Sequence, residues 1–498
     1  MGKGSSRRVR AFKRWMKREG IECSDALDLR DEGVEIGISV SALAHLKEGD
    51  VVARIPKLTC LTTRTTAARD IISAAAGEGE EESCLGGLAG LAVALMYERS
   101  LGERSRWAPY LELLSKEEES LPLVWRADEV EQLLAGTELE GTVKEDKGVM
   151  WKEWKESIEP TLLLQMHPLD AAAVEFDPSF FGFGDYLAAR TLISSRSFQI
   201  DEYHGVGMVP LADLAIHDDD MSASITVDEG EGDDGGGEGD NGDRDNSEGG
   251  DDDDSDDSGD GDSDDYGDGD GDDSDGDDLE MTMVFNTYGS LGNAALLHRY
   301  GFTEPDNPYD IVNIDLELIL QWSSSLFSGQ HRRARLSLWK RLDYSGCVTH
   351  NSEYFEVSFN GEPEIEMLVL LYIMLLPHDA YYKMDLALAT AGSSSKPMDI
   401  IFSDKSKKLC HKTGLLSEDL LLTKSLCNAL LSLADMRDSL YGTNSIEDDI
   451  EALGRCCCLS DKKLYHSLML RISERRILQK LKMYAAKETS VRKKLKRK

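Results

Sequence analysis

The sequence predicts an α+β fold: a small β-rich part interrupted by helices, then a long helical region. Three observations predict it. Val34, Ile36, Ile38 and Val40 alternate with Glu35, Gly37, Ser39 and Ser41, the period-two pattern of a half-buried strand. From about Thr303 onward the apolar residues fall at helical spacing instead, in runs at 314–322, 367–376, 415–433 and 465–484. Between these regions lies FNTYGSLGNAALLHRYGF at 285–302, where two Tyr-Gly pairs twelve residues apart flank a short apolar helix pattern.

A chain of 498 residues has room for two or three domains, and 41% apolar residues suffice for real cores. The net charge of −39 is concentrated: residues 228–280 hold 28 acidic side chains and one Arg, or −27, leaving −12 for the rest. That Asp/Gly/Ser tract cannot bury a core and is expected to be disordered. Its nearest calcium-loop frame, from Asp262 with Gly267 sixth, puts Tyr266 where an oxygen ligand is needed. Two readings stay open: a tolerated surface insertion, or an electrostatic lure for basic partners. Nine cysteines include no Cys-x-x-Cys pair. Cys456, Cys457 and Cys458 are consecutive, so their side chains diverge by about 100° on a helix and suit tetrahedral zinc poorly. No metal is expected, and scattered thiols point to a reducing compartment. The longest apolar run, 367–376, is too short to span a bilayer.

In chain order, Phe12, Trp15 and Met16 form one apolar edge on a basic helix near the start. The alternating strand at 34–40 is expected to turn at Lys47–Asp50 and return through 51–55. Residues 85–98 read as a small-residue helix able to approach a neighbour closely, and 127–195 as helices anchored by Trp151, Trp154 and 176–186. Arg196-Ser197-Phe198 precedes a near-continuous apolar run, Met208 to Leu214, broken by Asp213 and followed by Ile216-His217. The acidic tract ends at 279–284, directly before Phe285. Ala294 to Leu297 are good helix formers, and Gly301 sits where a helix-ending glycine belongs. Tyr354–Phe359 alternates like a short strand. Residues 492–498 are basic with no interleaved aromatic residue, which favours an import signal over nucleic-acid contact.

Arg196-Ser197-Phe198, the run Gly207 to Leu214, Ile216-His217 and the paired Tyr-Gly wording together resemble the SET-domain protein-lysine methyltransferases. The branch they resemble is that of the plant Rubisco large-subunit methyltransferase, with wording closest to nuclear members acting on non-histone proteins. The resemblance implies a split SET β-fold with a helical insert, followed by an all-helical C-terminal substrate-binding domain. It divides the chain into a basic N-terminal helix at 1–25, a SET domain at 26–302 with its insert at about 85–190, a substrate-binding domain at 303–490 and a basic tail at 491–498.

By the same resemblance Tyr288 is the catalytic tyrosine. Gly37, Arg196, Ile216, His217 and Tyr288 contact S-adenosylmethionine, and Arg196 and Tyr300 shape the substrate side. The implied partner is a basic protein presenting a lysine, met by a monomeric, nuclear enzyme (cytoplasmic as the alternative). The chemistry is an in-line attack of a lysine amine on a sulfonium methyl group. Lysine's ordinary pKa is about 10.4, so a dry channel must help it lose its proton. Three positions depart from the family pattern. Glu35 stands where the first glycine of a Gly-x-Gly is usual, Ile216 replaces an asparagine, and the hairpin before Phe285 looks shortened. They support a second reading, a SET-fold pseudoenzyme that binds basic proteins.

Overall fold

The computed structural model describes residues 6–33, 37–47, 49–75, 87–116, 120–160, 177–214, 282–283, 288–341, 354–390, 421–456 and 461–495. Helix α1 (Arg7–Glu19) buries Val9, Phe12, Trp15 and Met16, three or four residues apart or adjacent, and so on one face. Ser6 caps it by accepting from the Val9 amide at 3.2 Å, and Gly20 closes it in the left-handed region at φ 78°. Phe12, Trp15 and Tyr110 stack into one aromatic group, so the basic helix is welded to the core along its apolar edge.

Strands β1 (Glu22–Cys23), β2 (Leu27–Gly33), β3 (Gly37–Ala42) and β4 (Ala53–Arg54) follow. The expected hairpin is corrected here. The partner of β3 is the preceding strand β2, with Leu29 opposite Val40, while β4 pairs with β1. Of the alternating run, residues 37–40 lie in β3, and 34–36 lie outside the described residues. Asp28 and Arg30 alternate with Leu27 and Leu29 in β2 just as well, and Gly33 at φ 99° supplies the bend. Glu35 lies outside the described residues.

Strand β5 (Leu61–Thr62), helix α2 (Arg69–Ala75) and helix α3 (Gly87–Leu101) come next. Every residue from Ala89 to Glu98 is buried, the close approach its small side chains allow. Glu98 is buried as a satisfied acceptor, taking hydrogen bonds from the Thr66 hydroxyl, the Ala67 amide and the Ser105 hydroxyl. Helices α4 (Ala108–Leu111), α5 (Ala127–Leu133) and α6 (Glu138–Glu153) lead into a π turn at Trp154–Ile158 and then α7 (Phe183–Arg196). Strand β7 (Gly205–Met208) lies between β5 and β6 (Ser197–Asp201), and β8 (Thr282–Met283) adds to β3. The acidic tract and the residues 284–287 lie outside the described residues.

After helix α8 (Asn293–Tyr300), the chain forms β9 (Val312–Asp315), α9 (Leu316–Ser324), α10 (Gly329–Arg341), β10 (Tyr354–Val357), α11 (Ile365–Leu375), α12 (His378–Thr390), α13 (Lys424–Asp438), α14 (Ile446–Arg455) and the 34-residue α15 (Lys462–Leu495). Ile314, expected in a helix, faces Phe355 in the antiparallel β9–β10 ribbon instead. Two β-branched residues in Val312-Asn313-Ile314 suit a strand better than a helix start.

Two large apolar clusters result. One runs from Val9 to Leu214 and the other from Val312 to Ala485. A third joins them: Trp125, Val130, Leu134, Leu139 and Val143 pack with Leu297 of α8 and Leu470 of α15. Beside this joint a charged group is buried. Glu138 Oε1 accepts from the Asn313 amide at 2.7 Å, and Tyr441 donates to Glu474 at 2.5 Å. Arg437 reaches the Asn313 and Gly136 carbonyls and Glu474.

Candidate active site

The two Tyr-Gly pairs converge. The Tyr288 ring lies 4.0 Å from that of Tyr300, centroid to centroid, and 5.0 Å from Phe302. Tyr288 and Tyr300 are half-buried, so each ring packs while keeping one edge accessible. Local backbone chemistry sets this up. Gly289 takes φ 76°, and the Leu291 amide donates to its carbonyl at 3.0 Å, which tightens the turn after Tyr288. Gly292 begins α8 beside the Tyr309 carbonyl, where an added Cβ would come within 2.7 Å. At the other end Gly301 stands at φ 84° and donates to the Leu296 and Leu297 carbonyls, ending the helix just beyond Tyr300.

Helix α8 is held on every side. At its start the buried Asn293 donates through its backbone amide to Asp310 Oδ1 at 2.5 Å, and through Nδ2 to Asp310 Oδ2 at 2.8 Å. The same side chain closes a two-way bridge with the Glu304 backbone, at 2.9 and 2.7 Å. Ser473 of α15 donates to Asp310 as well. Along its flank His298 meets Asp146 at 2.8 Å, and Ser194 donates to the Arg299 carbonyl at 3.1 Å. Past its end, Thr303 bonds His466 Nδ1 at 2.9 Å. Burial pushes the His466 imidazole down to about 4, so this contact is a neutral one.

Arg196, the last residue of α7, donates to the Asp213 carbonyl at 2.7 Å. The Asp213 carboxylate is buried and accepts from the Tyr110 hydroxyl at 2.5 Å. Burial raises the Asp213 carboxyl to about 6, against the opposing pull of Arg196 and the Tyr110 bond. Burial, with Asp213 beside it, also drives the Tyr110 phenol well above its ordinary value. The intervening backbone is strained: Leu211 takes φ 81°, uncommon for a branched residue, and is held there by burial. These residues deliver the chain to Leu214, the last residue described before Ile216 and His217, which lie outside the described residues. Gly37 opens β3 opposite Gly33.

The structure thus brings Tyr288 and Tyr300 together, and it ties Arg196 to the turn leading toward 216–217. Sequence reading missed Tyr110 as a partner of Asp213, although Asp213 breaks an apolar run it singled out. It also missed Asp310 and Ser473, which carried no local signal. A cavity of about 290 Å³ lies elsewhere, along α15, lined by Asp306, Phe359, Ser473, Arg476, Gln479, Lys480 and Met483. Among the described residues no group of three or more His, Cys, Asp or Glu is placed to hold a metal. No described helix is long and apolar enough to cross a membrane. The donor set at the tyrosines fits a sulfonium methyl donor: two phenol oxygens and three π faces, which attract a cation.

The chain is similar to known lysine methyltransferases in sequence and in fold. No family model matches the chain. N-lysine methyltransferase setd6 of Xenopus tropicalis is 24% identical over 348 residues, covering 68% of this chain and 66% of that protein. The chain spans about two thirds of that frog relative's length. N-lysine methyltransferase setd6 of Danio rerio is 25% identical over 491 residues, 94% of each chain. Ribosomal lysine N-methyltransferase 3 of Saccharomyces cerevisiae is 25% identical over 341 residues, covering 56% of this chain and 59% of that protein. Among solved structures, the SET domain of LSMT bound to lysine and AdoHcy superposes with a TM-score of 0.64 at 18% identity, covering 97% of this chain and 92% of that one. Rubisco LSMT bound to AdoMet gives 0.62 at 19% identity, with the same coverage.

The fold is therefore that of the LSMT SET domain with its helical C-terminal extension, and in sequence the chain is similar to N-lysine methyltransferases. The likeness is to Rubisco LSMT in structure and to the setd6 proteins in sequence.

Proposed function

We propose that this chain transfers a methyl group from S-adenosylmethionine to a lysine of a non-histone nuclear or ribosomal protein, with Tyr288 as the catalytic tyrosine. The observation that carries the reading is the Tyr288–Tyr300–Phe302 ring group at the end of a helix fixed on every side. S-adenosylmethionine supplies the methyl group as a sulfonium. Tyr288 offers a phenol oxygen and a π face to that charge and orients the acceptor. Tyr300 and Phe302 line the substrate side and exclude water, which favours the neutral lysine amine over the ammonium. Positioning, rather than proton transfer by a strong base, is the main contribution. Arg196, by bonding the Asp213 carbonyl, fixes the turn leading to Ile216 and His217, whose backbone contacts the adenine end. Gly37 leaves room for the donor against β3.

The boundary near residues 302 and 303 between the catalytic and substrate-binding domains is supported by the two separate apolar cores. The acidic tract draws basic partners, and the cluster at 492–498 directs import to the nucleus. A fluorescent fusion lacking that cluster is expected to stay in the cytoplasm.

Calorimetric titration of S-adenosylmethionine into the purified chain tests the reading against the pseudoenzyme alternative. Heat with a saturable isotherm supports the enzyme; no heat at millimolar cofactor sinks it. Ile216→Asn restores one amide and is expected to tighten binding by roughly ten- to hundredfold, the worth of about 1.5–3 kcal/mol for a bond to a charged group. Tyr288→Phe should bind the cofactor yet lose methyl transfer to acceptors in a nuclear extract, and full transfer by that variant removes Tyr288 from its role.

A further inference from the structure

Asp310 is buried and lies far from the rings in sequence, yet it is the acceptor on which the start of the tyrosine helix depends. Its two oxygens take the Asn293 amide, the Asn293 side chain and the Ser473 hydroxyl. Asn293 is the first residue of α8 and Tyr300 the last, while Tyr288 is joined to Asn293 through the tight Gly289–Leu291 turn. A shift of Asn293 therefore moves both rings together. Ser473 belongs to α15, which carries the apolar core of the C-terminal region through Ile477, Leu478 and Leu481.

We propose that Asp310 and Ser473 form a clamp through which the C-terminal domain sets the Tyr288–Tyr300 ring contact, with Asp310 a positioning residue for methyl transfer. This rests on the reading of Tyr288 as the catalytic tyrosine. The clamp makes the long helix a condition of a competent tyrosine pair. Neither Asp310 nor Ser473 is itself among the residues assigned to the cofactor. Its signature is thus a fall in turnover larger than any loss of cofactor affinity.

The test uses the full chain labelled with 3-fluorotyrosine, in which the Tyr288 and Tyr300 resonances are assigned by their loss in Tyr288→Phe and Tyr300→Phe. Asp310→Asn, Ser473→Ala and Ser473→Thr are compared for fluorine shift, calorimetric S-adenosylmethionine affinity and initial rate of methyl transfer to a nuclear extract at saturating cofactor. Asp310→Asn and Ser473→Ala are expected to move or broaden both resonances and to lower the rate about five- to twentyfold and three- to tenfold, with cofactor affinity within twofold. Ser473→Thr keeps the hydroxyl, and Ser473 borders the cavity of about 290 Å³ that can take the added methyl group, so it should restore both signals. Should Asp310→Asn fail to fold, the two Ser473 variants carry the comparison. Unmoved resonances in folded variants overturn the clamp, as does wild-type turnover despite displaced rings. Full transfer by Tyr288→Phe would instead refute the catalytic reading and leave a displaced-ring result standing as mechanical coupling.

Discussion

Replacing Glu138 by Gln should change how stability depends on pH. Glu138 and Glu474 share one buried cation, Arg437, whose charge burial opposes and Tyr441, Glu474 and Glu138 hold in place. Two carboxylates against one guanidinium leave one negative charge too many. The group relieves it by keeping a proton: burial first, then Glu474, pushes the Glu138 carboxyl up to about 8, and burial raises Glu474 as well. The unfolded chain releases the Glu138 proton near its ordinary 4.5, whereas the folded chain keeps it until about 8. Between those limits the folded state binds more protons, so stability is greatest at low pH and is lost as pH rises. The slope approaches about 1.4 kcal/mol per pH unit for one full proton, or roughly 2–3 kcal/mol between pH 5.5 and 7.5.

Gln keeps the acceptor for the Asn313 amide and carries no charge, so Glu138→Gln should flatten this decline and be the more stable protein at pH 8. Asp213, raised to about 6, and His466, lowered to about 4, titrate in the same range, so the difference between wild type and variant is the quantity to read. Urea unfolding at five pH values supplies it. Parallel curves for the two proteins would refute the shared-proton account.

Three further outcomes follow from the geometry. Tyr110→Phe removes the 2.5 Å donor to the buried Asp213 carboxylate and should cost about 1.5–3 kcal/mol in urea unfolding; a loss under 0.5 kcal/mol would mean the bond is not formed in solution. Gly301→Ala adds a Cβ 2.5 Å from that of Ser120 at φ 84°, and should destabilise by about 2–4 kcal/mol, read as a lowered Tm together with reduced methyl transfer. Deleting residues 228–280 takes away a net charge of −27. Capture of core histones by the shortened chain should then weaken at 50 mM salt and match the full chain at 500 mM, whereas equal capture at both would remove the lure.

Local patterns carried most of the fold. The apolar edge of α1, the small residues of α3 and the glycine stop after Tyr300 each follow from spacing and backbone freedom within a dozen residues. The first hairpin was misjudged because strand alternation has no direction. A run such as 34–40 looks the same whether its partner precedes or follows, and the charged residues of β2 hid the partner. At the site, the two Tyr-Gly pairs were legible because one short helix joins them. The Asp310–Ser473 and Tyr110–Asp213 contacts join residues separated by 163 and 103 positions, and no local propensity encodes such a meeting. The same holds for Glu138, whose exceptional proton affinity arises only when remote helices bury it against Glu474.

The long helix α15 also imposes an order on biogenesis. The Asp310 side of the clamp leaves the ribosome 163 residues ahead of Ser473. At common elongation rates that is roughly ten to thirty seconds of synthesis. For that interval a nascent chain already displays both aromatic rings but lacks the brace that aligns them. Under the proposed clamp, half-made copies would stay silent, and methyl transfer would begin only once translation had passed α15.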